Sequence, residues 1–155
     1  MAHDSVTTID SGPHKVSRRV TVDAPAADVF ALIANPHRHP ELDGSGTVRD
    51  TPVKGPDLLT EGARFSVGMK QYGVPYTITS RVTAFEDGKL VEWRHPLGHR
   101  WRWELSPTSP TTTEVTETFD YSTIPVPKVI ELLGYQKKNG AGIESTLRAL
   151  AARYS

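Results

Sequence analysis

Between Lys15 and Asp23, KVSRRVTVD, side chains alternate, with Val16, Arg18, Val20 and Val22 on one parity and Ser17, Arg19 and Thr21 on the other. That alternation and its β-branched content predict a strand. The strand runs into Asp23-Ala24-Pro25, where Asp23 or Ala24 can cap a helix whose first turn accepts the proline. Val29, Phe30, Ile33 and Ala34 then recur at helical spacing, so ADVFALIAN reads as a short amphipathic helix that Pro36 stops. From Thr47 the pattern turns to strands. SGTVRDTP suggests a short one, VKGPDLLTEG a loop, and ARFSVGMKQY a strand with Phe65, Val67 and Met69 on one face. Gly73-Val74-Pro75 turns the chain into YTITSRVTAFE, where Tyr76, Ile78 and Val82 share a parity, and Glu86-Asp87-Gly88 reads as a hairpin turn. KLVEWRH and HRWRWELSP follow, joined by Pro96-Leu97-Gly98, and TTTEVTETFDYST supplies the last strand with Val115, Phe119 and Tyr121 in phase.

After Pro127 the period changes again. Val129, Leu133, Gln136, Gly140, Ile143, Leu147, Leu150 and Tyr154 recur at steps of three and four, which keeps one stripe on one side of a helix. Unbroken, about 27 residues would make a rod of roughly 40 Å. Gly134, Gly140 and Gly142 each weaken it by ~1 kcal/mol relative to alanine, and a break near Gly134 is the alternative.

The order is strand, short helices, a succession of strands, then one long helix. Consecutive strands with short turns make an antiparallel sheet of about seven strands, and helices segregated at the ends make the class α+β. The terminal helix is the large apolar element left to cover the large apolar sheet face, so it lies across the sheet. Residues 1–14 read as a flexible polar tail, and 15–155 as a single domain.

Composition narrows the functions. Lys plus Arg and Asp plus Glu number 18 each. With no basic surplus to displace counterions from phosphates, a nucleic-acid partner is not expected. The chain has no cysteine, which removes disulfides, thiolate nucleophiles and cysteine-ligated zinc. Neither a signal-type apolar run at the start nor a membrane-spanning stretch is present, so a soluble cytoplasmic protein is expected, as monomer or homodimer. There is no Gly-x-Ser-x-Gly elbow and no phosphate loop. Gly44-Ser45-Gly46 follows a turn, so it is not a dinucleotide fingerprint.

NPHRHPELDG, residues 35–44, concentrates His37, His39, Glu41 and Asp43. Pro36 and Pro40 argue against a regular strand, so the alternation gives these groups no shared face, and a structural turn with a short helix is expected there in place of a metal site.

Three stretches together resemble a known family: the strand entering APAADVFALIANP, the segment WRWELSPTSPTTTEVTETFDY, and the long closing helix. They are similar to the START-like, polyketide cyclase/dehydrase superfamily. The resemblance implies the helix-grip fold, a curved sheet wrapped around the C-terminal helix with two short helices after the first strand. It also implies either binding of a small hydrophobic molecule or a cofactor-independent cyclase or dehydrase. Where members often carry aromatics after the first short helix, this chain keeps Pro36 and Pro40 but has His39 and Leu42, which suggests a packing role for His39.

The strand parities place candidate site residues. Trp101, Trp103 and Leu105 share one side, and Val91, Trp93 and His95 share a side of the neighbouring strand. These rings form either a packed aromatic core or the wall of a pocket between sheet and helix, with Gly140 and Gly142 removing bulk from the helix stripe. Glu117 shares parity with Val115, Phe119 and Tyr121. It therefore points inward as a desolvated carboxylate seeking Tyr76, His95 or Tyr121 as partner, unless the strand bulges or Glu117 lies at its wet end. As a ligand site the wall comprises Tyr76, Trp93, Trp101, Trp103, Phe119, Tyr121, Gly140 and Ile143. As a catalytic site, Glu117 is the base removing a proton α to a carbonyl and His95 or a tyrosine the acid. No cofactor is implied. RHPLGHRWR reads as a solvated hairpin tip.

Overall fold

The computed structural model describes residues 5–42, 53–71 and 73–155, without the side chains of 69–71. Strand β1 (Thr7–Ile9) precedes β2 (Lys15–Val22), followed by helix α1 (Ala26–Ile33), a 3₁₀ turn (Pro36–Arg38) and the one-turn helix α2 (His39–Leu42). Then come β3 (Val53–Lys54), β4 (Arg64–Gln71), β5 (Val74–Glu86), β6 (Leu90–Arg94), β7 (Arg100–Ser109) and β8 (Thr112–Asp120). Helices α3 (Pro127–Leu132) and α4 (Tyr135–Tyr154) close the chain.

Among the described residues, all strands join one antiparallel sheet in the order β1-β2-β8-β7-β6-β5-β4-β3. The sheet has eight strands where about seven were expected. One addition falls in the expected tail, because Thr7–Ile9 pair with Ser17–Arg19 of β2. This edge strand, and Ser11 just after it with its Oγ 2.7 Å from Ser17 Oγ, cover Ser17, which is buried although it lies on the parity opposite Val16, Val20 and Val22. The other addition, β3, begins in the expected loop, and the expected strand SGTVRDTP lies outside the described residues. In α1 the capping residue is Pro25 itself, with no side-chain cap, in place of Asp23 or Ala24. Val74 and Pro75 already belong to β5, since Val74 pairs with Gln71.

The long helix does break. Gly134 takes φ +75°, a left-handed conformation that costs glycine little, and its backbone carbonyl restarts the helix by accepting from Lys138 N at 3.1 Å. The break rotates α3 out of the predicted stripe, so Val129 and Leu133 are exposed, whereas Ile143, Leu147 and Leu150 are buried against the sheet.

Helix α4 crosses the sheet off-centre, packed on β2 and β8. Gly140 permits this: a Cβ there would sit 3.0 Å from Arg18 Nη2 and 3.3 Å from Val16 Cγ1. Arg18 runs through this contact to donate to Glu144 Oε1 at 2.9 Å and to the Ser17 carbonyl at 3.0 Å. At the end where α1 lies, Leu147 and Leu150 meet Val20, Val22, Leu32, Ile33, Leu105 and Val115 in a closed core. The other end, beneath the first turns of α4, is not filled.

Candidate functional site

The unfilled end is a cavity of about 670 Å³ between α4 and the β4–β7 half of the sheet. It exists because the helix is drawn onto β2 and β8 at Gly140, while the rings on β4, β6 and β7 hold the opposite wall away. The register sets those rings side by side: Trp93 pairs with Trp101, and Val91 with Trp103. Trp93, Trp101 and Trp103, which are all the tryptophans of the chain, line the cavity, together with Phe65, Ile78 and Tyr76. The helix contributes Tyr135, Lys138, Asn139, Gly142, Ile143 and Thr146. An apolar concavity of this size with a few polar groups is the usual form of a small-molecule site, for which ~300–1,000 Å³ is typical.

Of the expected wall, Tyr76, Trp93, Trp101, Trp103 and Ile143 are in place. Phe119, Tyr121 and Gly140 are not on it. Phe119, 1 % exposed, lies behind the wall, its ring 5.0 Å from that of Trp101 and 5.5 Å from that of Tyr121. Tyr121 turns its hydroxyl to Glu131 Oε2 at 3.3 Å, fastening α3 to the sheet instead of facing a ligand. Gly140 faces β2, so its missing side chain lets the helix approach on the closed side; Gly142 lines the cavity.

Glu117 does point inward: it is 7 % exposed and lines the cavity. Its cross-strand neighbours are Arg18 on one side and Trp103 on the other, which puts a cationic side chain within about 5 Å at the Cβ atoms. The partners expected for it are elsewhere. Tyr121 is engaged with Glu131, and Tyr76 is 40 % exposed at the rim. His95 is also displaced: Glu117 is level with Val91 through Trp103, and four residues along β6 put His95 roughly 13 Å farther along the strands. Glu117 and His95 occupy different depths of the cavity.

The hairpin joining β6 and β7 is more than a solvated tip. His95 and His99 both line the cavity and stack at 4.2 Å with planes 18° apart, and His99 also meets Phe119 edge-on at 5.2 Å. Burial lowers the pKa of both, His99 to about 4 with a further push from His95. The Leu97 N–H donates to His95 Nδ1 at 3.1 Å, so the neutral ring carries its proton on Nε2.

His39 is the other addition. It stacks on Trp93 at 5.1 Å and meets Phe65 edge-on at 5.7 Å, in the packing position expected for it. Its Nε2–H donates to the Ile33 carbonyl at 2.7 Å, and desolvation, with a smaller push from His37, lowers its pKa to about 4. The neighbouring polar groups diverge: His37 Nε2 donates to the Gly55 carbonyl at 2.8 Å, and Glu41 receives Arg38 at 3.1 Å and Arg153 at 2.9 Å. Asp43 lies outside the described residues.

A curved antiparallel sheet gripping a long helix over an aromatic-lined hollow is the helix-grip architecture of START-like proteins. The chain belongs to the polyketide cyclase/dehydrase and lipid transport family, whose model matches residues 13–155. A relative, the uncharacterized protein Rv0088 of Mycobacterium tuberculosis, is 55 % identical over 155 residues, spanning 97 % of this chain and 69 % of that one. Among solved structures, a START superfamily protein from Mycobacterium smegmatis superposes with TM-score 0.67 at 16 % identity, covering 91 % of this chain and 97 % of that one. The di-domain ARO/CYC BexL from the BE-7585A biosynthetic pathway superposes with TM-score 0.65 at 20 % identity, covering 89 % of this chain and 45 % of that one. These structural likenesses concern the fold. Family and fold together point to ligand binding or cyclase/dehydrase-like chemistry, and no helix among the described residues is long and apolar enough to cross a membrane.

Proposed function

We propose that the protein binds one small, largely apolar molecule, aromatic or polyketide- or lipid-like, between the sheet and α4, without a cofactor. The observation that supports this is the 670 Å³ hollow walled by all three tryptophans. A planar ligand would stack on Trp93 and Trp101, and Ile143 and Ile78 would close on its edges. Of its polar groups, the Nε2–H of His95 is a donor toward a ligand oxygen near the mouth, and Glu117 an acceptor at greater depth. Because every tryptophan is on the wall, intrinsic fluorescence reports occupancy directly. Titration with a panel of aromatic polyketides and fatty acids should quench or shift the emission saturably for at least one class, and a flat response across the panel would refute binding.

A second reading, a cyclase or dehydrase, rests on Glu117, a carboxylate on the cavity wall that could remove a proton α to a carbonyl. Its weakness is the acid, because His95 and Tyr121 do not lie at the depth of Glu117. The Glu117→Gln variant separates the two readings. Turnover of a bound polyketide by the native chain, lost in the variant while binding persists, would establish the enzyme. Unaltered turnover would dismiss Glu117 as the base.

A further inference from the structure

Exposed apolar side chains are unevenly placed. Among the described residues nine large hydrophobic side chains are exposed, and only Leu58, in the loop before β4, stands apart from the rest. The antiparallel register brings the other eight to one end of the molecule. At that end lie the β4–β5 turn with Val74 and Tyr76, the β6–β7 turn with Leu97, and the exit from β8 into α3. Thr123 Oγ1 donates to the Gly98 carbonyl at 2.6 Å and ties the last two together. The remaining members belong to the segment 126–135, where Leu132 is 85 % and Leu133 64 % exposed. This is also the mouth of the cavity, since Tyr76, His95, His99 and Tyr135 line it.

The same segment is basic. Lys128, Lys137 and Lys138 are exposed and make no ion pair among the described residues. Glu131 is the one acidic residue between 126 and 138, and it is occupied by the Tyr121 hydroxyl at 3.3 Å, with His14 at 3.8 Å. In a chain of zero net charge, this segment therefore carries a local positive excess beside two of the most exposed apolar side chains, Leu132 and Leu133.

We propose that the cavity mouth docks on the surface of an anionic phospholipid bilayer, with Leu132, Leu133 and Leu97 entering the headgroup–acyl boundary and the lysines at the phosphates. Charge complementarity favours this occupant over a second copy, because a two-fold interface through this face would set like lysines together. A bilayer also accepts apolar side chains projecting from three separate segments without needing a matching shape, as interfacial helices with lysine-rich flanks show. The cavity then opens toward the hydrocarbon, in which an apolar ligand would dissolve. Docking goes beyond the ligand-binding reading and does not depend on it.

The test is co-sedimentation of the full chain with vesicles of phosphatidylcholine alone and of phosphatidylcholine mixed with phosphatidylglycerol, with no ligand added. The native chain should partition onto the anionic vesicles and be released by high salt. The double variant Leu132→Asp, Leu133→Asp should lose about tenfold or more of that partitioning. The pair Lys128→Glu, Lys137→Glu, which leaves the cavity wall untouched, should lose roughly fivefold for each lysine removed. All these side chains are exposed, so urea midpoints equal to the native one will certify folding. Failure of the native chain to bind anionic vesicles, or equal binding by the leucine variant, overturns the proposal. So does a dimer in the ultracentrifuge that the leucine variant dissociates while vesicles stay unbound, since that assigns the face to a second copy. Each of these failures leaves the tryptophan titration, and the reading it tests, standing.

Discussion

His39 gives the most direct check on how the cavity wall is built. Its ring is wedged between Trp93 and Phe65, its Nε2–H is given to the Ile33 carbonyl at 2.7 Å, and desolvation takes its pKa from 6.5 to about 4. In the unfolded chain an ordinary histidine takes up its proton near pH 6.5. Between those two values the unfolded state binds more protons than the folded one, so stability is complete above pH 6.5 and declines as the pH falls toward 4. From pH 7 to pH 5 this linkage has a ceiling of about 2 kcal/mol for one such group, and because His39 is half-buried, solvent screening leaves about 1–2 kcal/mol. The perturbation is His39→Gln, with urea unfolding followed at both pH values. Removing the hydrogen bond and the stacking lowers stability at pH 7, so the informative quantity is the pH-dependent loss. The variant should lose about 1–2 kcal/mol less than the native chain between pH 7 and pH 5, close to 1 M in urea midpoint. His99, lowered in the same direction, remains in both proteins and cancels. An equal or larger acid loss in the variant would refute the description of His39 as a neutral, desolvated member of the wall.

Two substitutions probe the helix seat. Gly140→Val places carbon where Arg18 Nη2 and Val16 Cγ1 now stand, and should destabilise by roughly 1–3 kcal/mol in urea unfolding while ligand affinity of the folded protein is unchanged. A stable protein with weakened ligand binding would instead return Gly140 to the cavity wall. Leu147→Ala empties a fully buried position in the closed core and should cost about 2–5 kcal/mol, read as a lower melting temperature; a loss below that range would mean the α4–sheet seam is loosely packed.

Much of the architecture was legible along the chain because strand parity and helical period are local properties. Alternation through KVSRRVTV, RWRWEL and TTEVTETFD placed three neighbouring strands, and the same parity turned Glu117, Trp93, Trp101 and Trp103 inward, as observed. His99 shares that parity with Trp101 and Trp103, but the charge pattern of RHPLGHRWR favours a solvated hairpin tip over an inward ring. Thr7–Ile9 was hidden for a different reason: three polar or isolated residues carry no period, and only pairing with β2 makes them a strand.

By itself the sequence determined which faces are apolar, where the chain turns, and that a helix must close over the sheet, because these follow from each residue and its near neighbours. Where that helix comes to rest was decided in three dimensions. A glycine is silent about which neighbour will fill the space it leaves, and Gly140 proved to admit Arg18 and Val16 on the closed side, so the void opened over β4–β7. Depth within the cavity was likewise a matter of register between distant strands, which is why Glu117 and His95 share an inner face yet stand well apart along it.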